Sequence, residues 1–167
     1  MGTTEDIFEG QPTGTPEPMA RGTALYREGS GPAVVRHLAG YAPFVYFCAA
    51  RGARPKELAA DPERLIRFLR TAGPELAADS TLSAAAAVFT GNTIAALRPD
   101  AKWTAYEEAP STVGNRDKAF EPDRLLEALR TADDDAVDGL IAVLSDWAQE
   151  EPEEPPARPP RPVARPA

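Results

Sequence analysis

Small and hydrophobic side chains fill residues 80–99 almost without interruption, and this is the clearest pattern along the chain. On a helical projection Phe89 falls on one side of this segment, and Gly91 and Ala95 fall on the other. A helix that is apolar or small all round is usually buried on both sides. The pattern therefore predicts a central helix that starts with this segment and ends at Pro99.

Three small residues of this helix, Ala87, Gly91 and Ala95, are four positions apart and lie along one side of it. A glycine in the middle of a helix costs about 1 kcal/mol relative to alanine, and close packing is the natural compensation. A phosphate-binding loop is the alternative, but neither G-x-x-x-x-G-K-[ST] nor G-x-G-x-x-G occurs. We therefore assign Ala87, Phe89, Gly91 and Ala95 to packing.

Residues 61–73 have the features of an amphipathic surface helix. Asp61 suits the N-cap, Pro62 fits the first helical position, and Gly73 is expected to end the helix. The three arginines of this segment are expected to face solvent, either as a solvated polar face or as a ridge that binds anions. Residues 121–132 nearly repeat the segment, and we interpret the similarity as one helix recipe used twice.

Three further helices complete the helical part of the prediction. Residues 30–40 offer a serine as N-cap and Gly40 as a C-terminal stop. Residues 41–52 form a short apolar run that fits a buried strand or a helix, and the proline near its start favours the helix. In residues 133–150 apolar side chains recur at helical spacing up to Trp147, and the first aspartates meet the positive end of the helix dipole.

An extended segment is predicted after Pro99. Trp103 is expected to anchor this strand in the core, and turn residues within 110–115 predict a short β-hairpin. An isolated hairpin is only marginally stable, so it must pack against the helices. We therefore assign Trp103 and Trp147 to packing as well.

Taken together, these elements predict a mainly α protein with a minor α+β character. About five helices and one short hairpin form a single domain over residues 30–150. Residues 1–29 read as a disordered leader, and residues 151–167 as a proline-rich disordered tail. The tail contains a PxxP pattern, which fits either a recognition segment or a solubilising extension.

The formal net charge of −8 argues against nucleic acid as a partner, because binding nucleic acid depends on neutralising phosphates with Lys and Arg. The charge is also unevenly distributed. Residues 20–75 carry nine basic and five acidic residues, whereas residues 100–154 carry five and sixteen. This division fits either a surface that orients a protein partner or second copy, or an ordinary solvated surface.

The residues that usually carry catalysis are scarce. His37 and Cys48 are the only histidine and cysteine, which are too few for a zinc site, and both lie in apolar stretches. The aspartates that follow residue 132 resemble a calcium loop but lack its pattern, and helix capping explains them. We therefore assign no catalytic residue, no metal ligand and no cofactor.

A ligand site is the main alternative to a purely structural role for the polar residues near the central helix. A cleft between this helix and the hairpin would be lined by Asn92, Tyr106, Glu107 and Glu108. The single cysteine excludes an internal disulfide, and no signal sequence or membrane span is visible, so we expect a cytoplasmic protein.

The stretch "LSAAAAVFTGNTIAALRPDAKWTAY", preceded by short helices, resembles a family of small actinobacterial proteins of unknown function. In that family a small-residue helix with a central glycine leads into a strand with a tryptophan. The resemblance covers about a third of the predicted ordered chain. It implies a related fold and no activity.

Three functions fit these features. The first, which we favour, is a non-catalytic module that binds another protein, in a regulatory or accessory role. The second is an enzyme or small-molecule binder that uses the cleft. The third is self-assembly through the small-residue helix.

Overall fold

The computed structural model describes residues 33–35, 37–105 and 110–152. The predicted leader and nearly all of the predicted tail lie outside these residues. The described residues form seven helices and one four-stranded antiparallel sheet. The prediction of a mainly helical fold with a small β component is confirmed.

The elements have the following bounds. The helices are α1 (Ala42–Ala50), α2 (Pro55–Ala60), α3 (Pro62–Thr71), α4 (Gly73–Ala78), α5 (Ser80–Ala96), α6 (Pro122–Leu129) and α7 (Asp134–Gln149). The strands are β1 (Ala33–Val35), β2 (Lys102–Ala105), β3 (Thr112–Gly114) and β4 (Ala119–Phe120). The strand order in the sheet is β1-β2-β3-β4, so β1 and β4 lie at opposite edges.

Aspartate side chains cap the N-termini of three helices, α3, α5 and α7. Asp61 accepts a hydrogen bond from the backbone of α3 at 3.2 Å, and Asp79 and Asp133 do the same for α5 and α7 at 3.0 and 2.8 Å. These bonds satisfy amide groups that have no partner within the helix. The predicted capping by Asp61 and the predicted role of the aspartates after residue 132 are confirmed.

Two of the seven helices have no counterpart in the prediction. The additional ones, α2 and α4, contain six residues each, which is too short for a periodic pattern to identify them. Gly73 was expected to end α3, but it is the first residue of α4. A proline at the start of α4 begins a new helix directly, since proline is well accommodated in the first turn.

The helix predicted over residues 30–40 is wrong. Ala33–Val35 form strand β1, which pairs with β2 so that Val35 lies opposite Trp103. Consecutive valines favour a strand. The predicted hairpin corresponds to β2 and β3, which form the middle of a larger sheet. Gly40 has φ +101°, which suits glycine and turns the chain into α1.

Helix α5 lies at the centre of the fold and contacts α1, α6, α4 and the sheet. Within residues 85–95 every side chain except Val88 is buried. The aromatic ring of Phe89 lies 5.1 Å from that of Phe44 on α1, in an edge-to-face arrangement. The prediction of a helix over residues 41–52 is also confirmed, since Phe44 belongs to α1.

Candidate functional site

Gly91 of α5 lies directly beneath the indole ring of Trp103. A Cβ atom added at Gly91 would be 1.9 Å from Cζ2 of Trp103, which is far inside van der Waals contact. Trp103 is itself buried on β2, between the flanking strands β1 and β3. The absence of a side chain at Gly91 therefore creates the space that the indole ring fills. The other residues assigned to packing, Ala87, Phe89, Ala95 and Trp147, are buried as well.

The side chain of Asn92 is buried and makes three hydrogen bonds. Its Oδ1 accepts from the backbone N–H of Leu38 and from Nε1 of Trp103, and its Nδ2 donates to the carbonyl of Leu38, each at 2.9 Å. The amide thus joins α5 to the segment after β1 and to β2. Its polar atoms therefore form hydrogen bonds inside the protein. Of the residues assigned to a ligand cleft, Asn92 alone is described; Tyr106, Glu107 and Glu108 lie outside the described residues.

A buried arginine that sequence reasoning missed closes the end of α7. Nε and Nη2 of Arg98 each donate to one carboxylate oxygen of Asp100 at 2.8 Å. The same guanidinium donates to the carbonyl groups of Trp147, Glu150 and Glu151 at 2.7, 3.1 and 3.0 Å. The Trp147 carbonyl also accepts from the backbone N–H of Glu150, whereas the carbonyls of Glu150 and Glu151 lie beyond the last residue of α7. We call this group the Arg98 clasp.

The clasp also reaches the sheet and fixes the point at which the chain leaves α7. Asn115, in the turn between β3 and β4, donates to Asp100 at 3.2 Å. The guanidinium carbon of Arg98 lies 5.3 Å from the centre of the Trp147 ring, a cation–π distance. Nothing in the sequence marks this role, because the acceptors on α7 are backbone atoms about fifty residues away.

The side chains of His37 and Cys48 are both buried, so neither is exposed to a substrate at the surface. Burial raises the pKa of the Cys48 thiol to about 12, so the reactive thiolate is disfavoured at neutral pH. Burial also raises the pKa of Tyr41 to about 12. Among the residues that the structure describes, no group of three His, Cys, Asp or Glu side chains could hold a metal ion.

We expect Cys48 to resist a thiol reagent such as DTNB at pH 8 in the folded protein and to react fully in denaturant. The pKa of Cys48 in the folded state lies above the ordinary value of 9.0. Burial of the neutral thiol therefore contributes stability that is fully present below about pH 9. It is lost as the pH rises towards 12, and Tyr41 adds a loss in the same direction. The midpoint of urea unfolding should therefore fall between pH 8 and pH 10.5. Rapid labelling of the folded protein at pH 8 would contradict the burial of this thiol.

The arginines of α3 do not form a free anion-binding ridge. Arg67 lies 2.9 Å from Asp138, and Arg70 forms an ion pair with Asp134; both aspartates belong to α7. The bond to Arg70 lowers the pKa of Asp134 below its ordinary value. Part of the charge division seen in the sequence is thus neutralised within the molecule, where the basic helix α3 faces the acidic helix α7.

An apolar groove of about 520 Å³ lies between α6, α7 and strand β4. We call it the α6–α7 groove, and its lining residues are Ala119, Phe120, Glu121, Arg124, Leu125, Ala128, Leu129, Ala132, Ala136 and Leu140. Val143 is 41% exposed, and it follows Ala136 and Leu140 at helical spacing. These three residues form an apolar stripe along α7 that continues the groove.

The groove lies in the most acidic part of the chain. Residues 121–152 contain ten acidic and two basic residues, a net charge of −8 that equals the charge of the whole chain. Glu121 lines the groove itself, and its carboxylate forms an ion pair with Arg124, which is also part of the lining. Asp133 and Asp146 are both exposed. Asp133 lies three residues before Ala136, and Asp146 lies three residues after Val143, so each is next to one end of the stripe.

Comparison with known proteins finds no significant similarity to any family model, curated protein or solved structure. The resemblance to the actinobacterial family therefore stays a prediction. In the part of the chain that the structure describes, the helices are too short or too polar to cross a membrane.

Proposed function

We propose that this protein is a non-catalytic, cytoplasmic module that binds another protein through the α6–α7 groove. The single observation that carries the proposal is an open apolar groove in the most acidic part of the chain. The partner contributes a segment that is apolar on one side and basic on the other. Binding regulates or recruits that partner.

The apolar lining supplies affinity. Burial of apolar surface is worth about 25 cal/mol per Å², so covering the groove and the exposed Val143 favours association. A groove between two helices with a stripe at helical spacing is the usual receptor for an amphipathic helix. The groove contains a single aromatic residue, Phe120, and its walls are mostly leucine and alanine.

The charge supplies selectivity. Carboxylates around an apolar groove attract a basic segment and increase its rate of association. The same carboxylates repel the phosphates of nucleic acid, which agrees with the inference from the net charge.

The other two functions receive less support from the described residues. Self-assembly through the small-residue helix would need an open surface there, but α5 is covered on both sides and Trp103 fills the space above Gly91. A second copy bound groove to groove would bring two acidic surfaces together. A ligand site between α5 and the hairpin would need Asn92, whose side-chain atoms are already bonded to Leu38 and Trp103.

The proposal is tested with two variants at adjacent positions of α7. Val143→Lys removes an apolar side chain from the stripe and adds positive charge, whereas Ala142→Lys adds the same charge on an exposed neighbouring position away from the groove. The tagged full-length protein, expressed in its native host, should retain a specific protein with a basic, apolar segment. We expect Val143→Lys to weaken binding of the purified partner at least tenfold and Ala142→Lys to change it little.

Two results would contradict the proposal. One is recovery of background proteins alone with the full chain. The other is a recovered partner that binds both lysine variants equally well, because its contact surface would then lie away from the groove. Since both positions are exposed, we expect both variants to keep the stability of the wild type, which circular dichroism during heating can verify.

A further inference from the structure

We infer that residues 153–167 of the same chain bind in the α6–α7 groove and thereby compete with the protein partner. This inference rests on the proposed function, since it concerns the regulation of the same groove. It follows from three observations: where the described chain ends, what the remaining residues contain, and how the groove is charged.

The described chain ends beside the groove. The Arg98 clasp holds the carbonyl groups of Glu150 and Glu151, so the exit from α7 is fixed. One turn earlier, the ring of Trp147 lies 5.1 Å from that of Phe120, which lines the groove. The following residues therefore start next to one end of the groove.

The length of the remaining chain suits the groove. From Ala136 to Trp147, helix α7 rises about 17 Å at about 1.5 Å per residue. The many prolines of residues 153–167 favour the polyproline II conformation, in which residues 158–165 span roughly 22 Å at about 3.1 Å per residue. A segment that turns back after Pro155 and Pro156 can run along the whole stripe.

The charges of the two surfaces are complementary. Arg158, Arg161 and Arg165 are the only charged residues within 155–167. They would pass the exposed carboxylates of Asp133 and Asp146 at the two ends of the stripe, while prolines and Val163 contact the apolar lining of the groove. Pro-rich segments that carry arginine bind apolar and aromatic grooves in this manner.

The other occupants fit less well. The N-terminal residues enter the fold at β1, at the edge of the sheet opposite β4, whereas the groove borders β4. A second copy would place one acidic groove against another. The tail combines a nearby attachment point with the required positive charge, which lies in residues 155–167 after Glu153 and Glu154. Its effective concentration at the groove is high because it belongs to the same chain.

The first test locates the tail in the full-length protein. Ala164→Cys supplies a site for a nitroxide spin label, and the burial of Cys48 directs the label to the new cysteine. The NMR signals of the backbone amides of Ala128, Ala136 and Val143 should lose most of their intensity. The amides of α1 should keep theirs. Unchanged signals along the groove would overturn the inference.

A charge series provides the matched control. In the labelled protein, replacing Arg158, Arg161 and Arg165 by lysine should preserve the loss of signal, whereas replacing all three by glutamate should abolish it. The inference is wrong if the glutamate variant still broadens the groove signals. It is also wrong if the broadening arises only between a labelled and an isotope-enriched copy in a mixed sample, because a second molecule would then supply the tail.

Competition separates this inference from the proposed function. With the purified partner, the glutamate variant should bind several-fold more tightly than the wild type, because the tail no longer occupies the groove. A partner that Val143→Lys releases, together with a tail that leaves the groove signals unchanged, would support the proposed function and overturn the inference. A tail bound in the groove of a protein that retains no partner would support the inference and contradict the proposed function.

Discussion

Replacing Gly91 by alanine is expected to destabilise the protein by about 3 kcal/mol or more. The added methyl group would overlap the Trp103 ring, with Cζ2 at 1.9 Å and Cη2 at 2.3 Å. The ring cannot move away without breaking the hydrogen bond from its Nε1 to Asn92 and disturbing the buried sheet. Urea unfolding followed by tryptophan fluorescence measures the change.

Gly139→Ala is the matched control for this variant. Gly139 also lies in the middle of a helix, but a Cβ atom at this position meets nothing within 4 Å. Alanine favours helix formation over glycine by about 1 kcal/mol, so this variant should be more stable than the wild type. A shift of the same sign in both variants would contradict the close approach at Gly91.

The smaller side chain of Trp103→Leu should reduce the destabilisation caused by Gly91→Ala, and the double variant tests this coupling.

The second large effect is expected for Arg98→Met, which should destabilise the protein by about 3–5 kcal/mol. Methionine fills much of the same volume but removes two hydrogen bonds to Asp100 and three to the carbonyl groups at the end of α7. The side chains of Arg98 and Asp100 are only 2% and 13% exposed, so water does not readily replace these bonds. Urea unfolding measures the loss, and hydrogen exchange should show faster opening of the last turn of α7.

Arg67→Met provides the contrast within the same protein. Arg67 also forms ion pairs with two carboxylates, those of Glu63 and Asp138, but its side chain is half exposed. Exposed ion pairs contribute little because water screens them and both side chains lose freedom. The urea midpoint of this variant should stay close to that of the wild type. Equal losses in the two methionine variants would show that burial of Arg98 is not what makes the clasp important.

Local signals predicted most of the helices. Asp61 and the proline after it specify the start of α3 through the N-cap bond and the fixed φ of proline, and both effects act within one turn. The run of small side chains around Gly91 correctly indicated a buried helix, because no face of it carries charged side chains. The position of Trp103 above this glycine is a contact between distant elements, and no spacing in the sequence specifies it.

The failures also have physical causes. Strand β1 depends on β2, about seventy residues later in the chain, and the flanking serine and Gly40 imitate the limits of a helix. Leu125 and Leu140 each belong to a recognisable helical face, but the groove between them arises because α6 and α7 both pack against α3. The role of Arg98 depends on backbone acceptors, and every residue type offers the same carbonyl group.

The pairing of β1 with β2 has a consequence for biosynthesis. Val35 pairs with Trp103, and Leu38 is bonded to Asn92, so the first described strand has no partner until the middle of the chain has left the ribosome. Contacts between distant residues form slowly because a long loop must close first. Helices α1 to α4 can therefore begin to form during synthesis, whereas the N-terminal strand cannot pair until β2 has been synthesised.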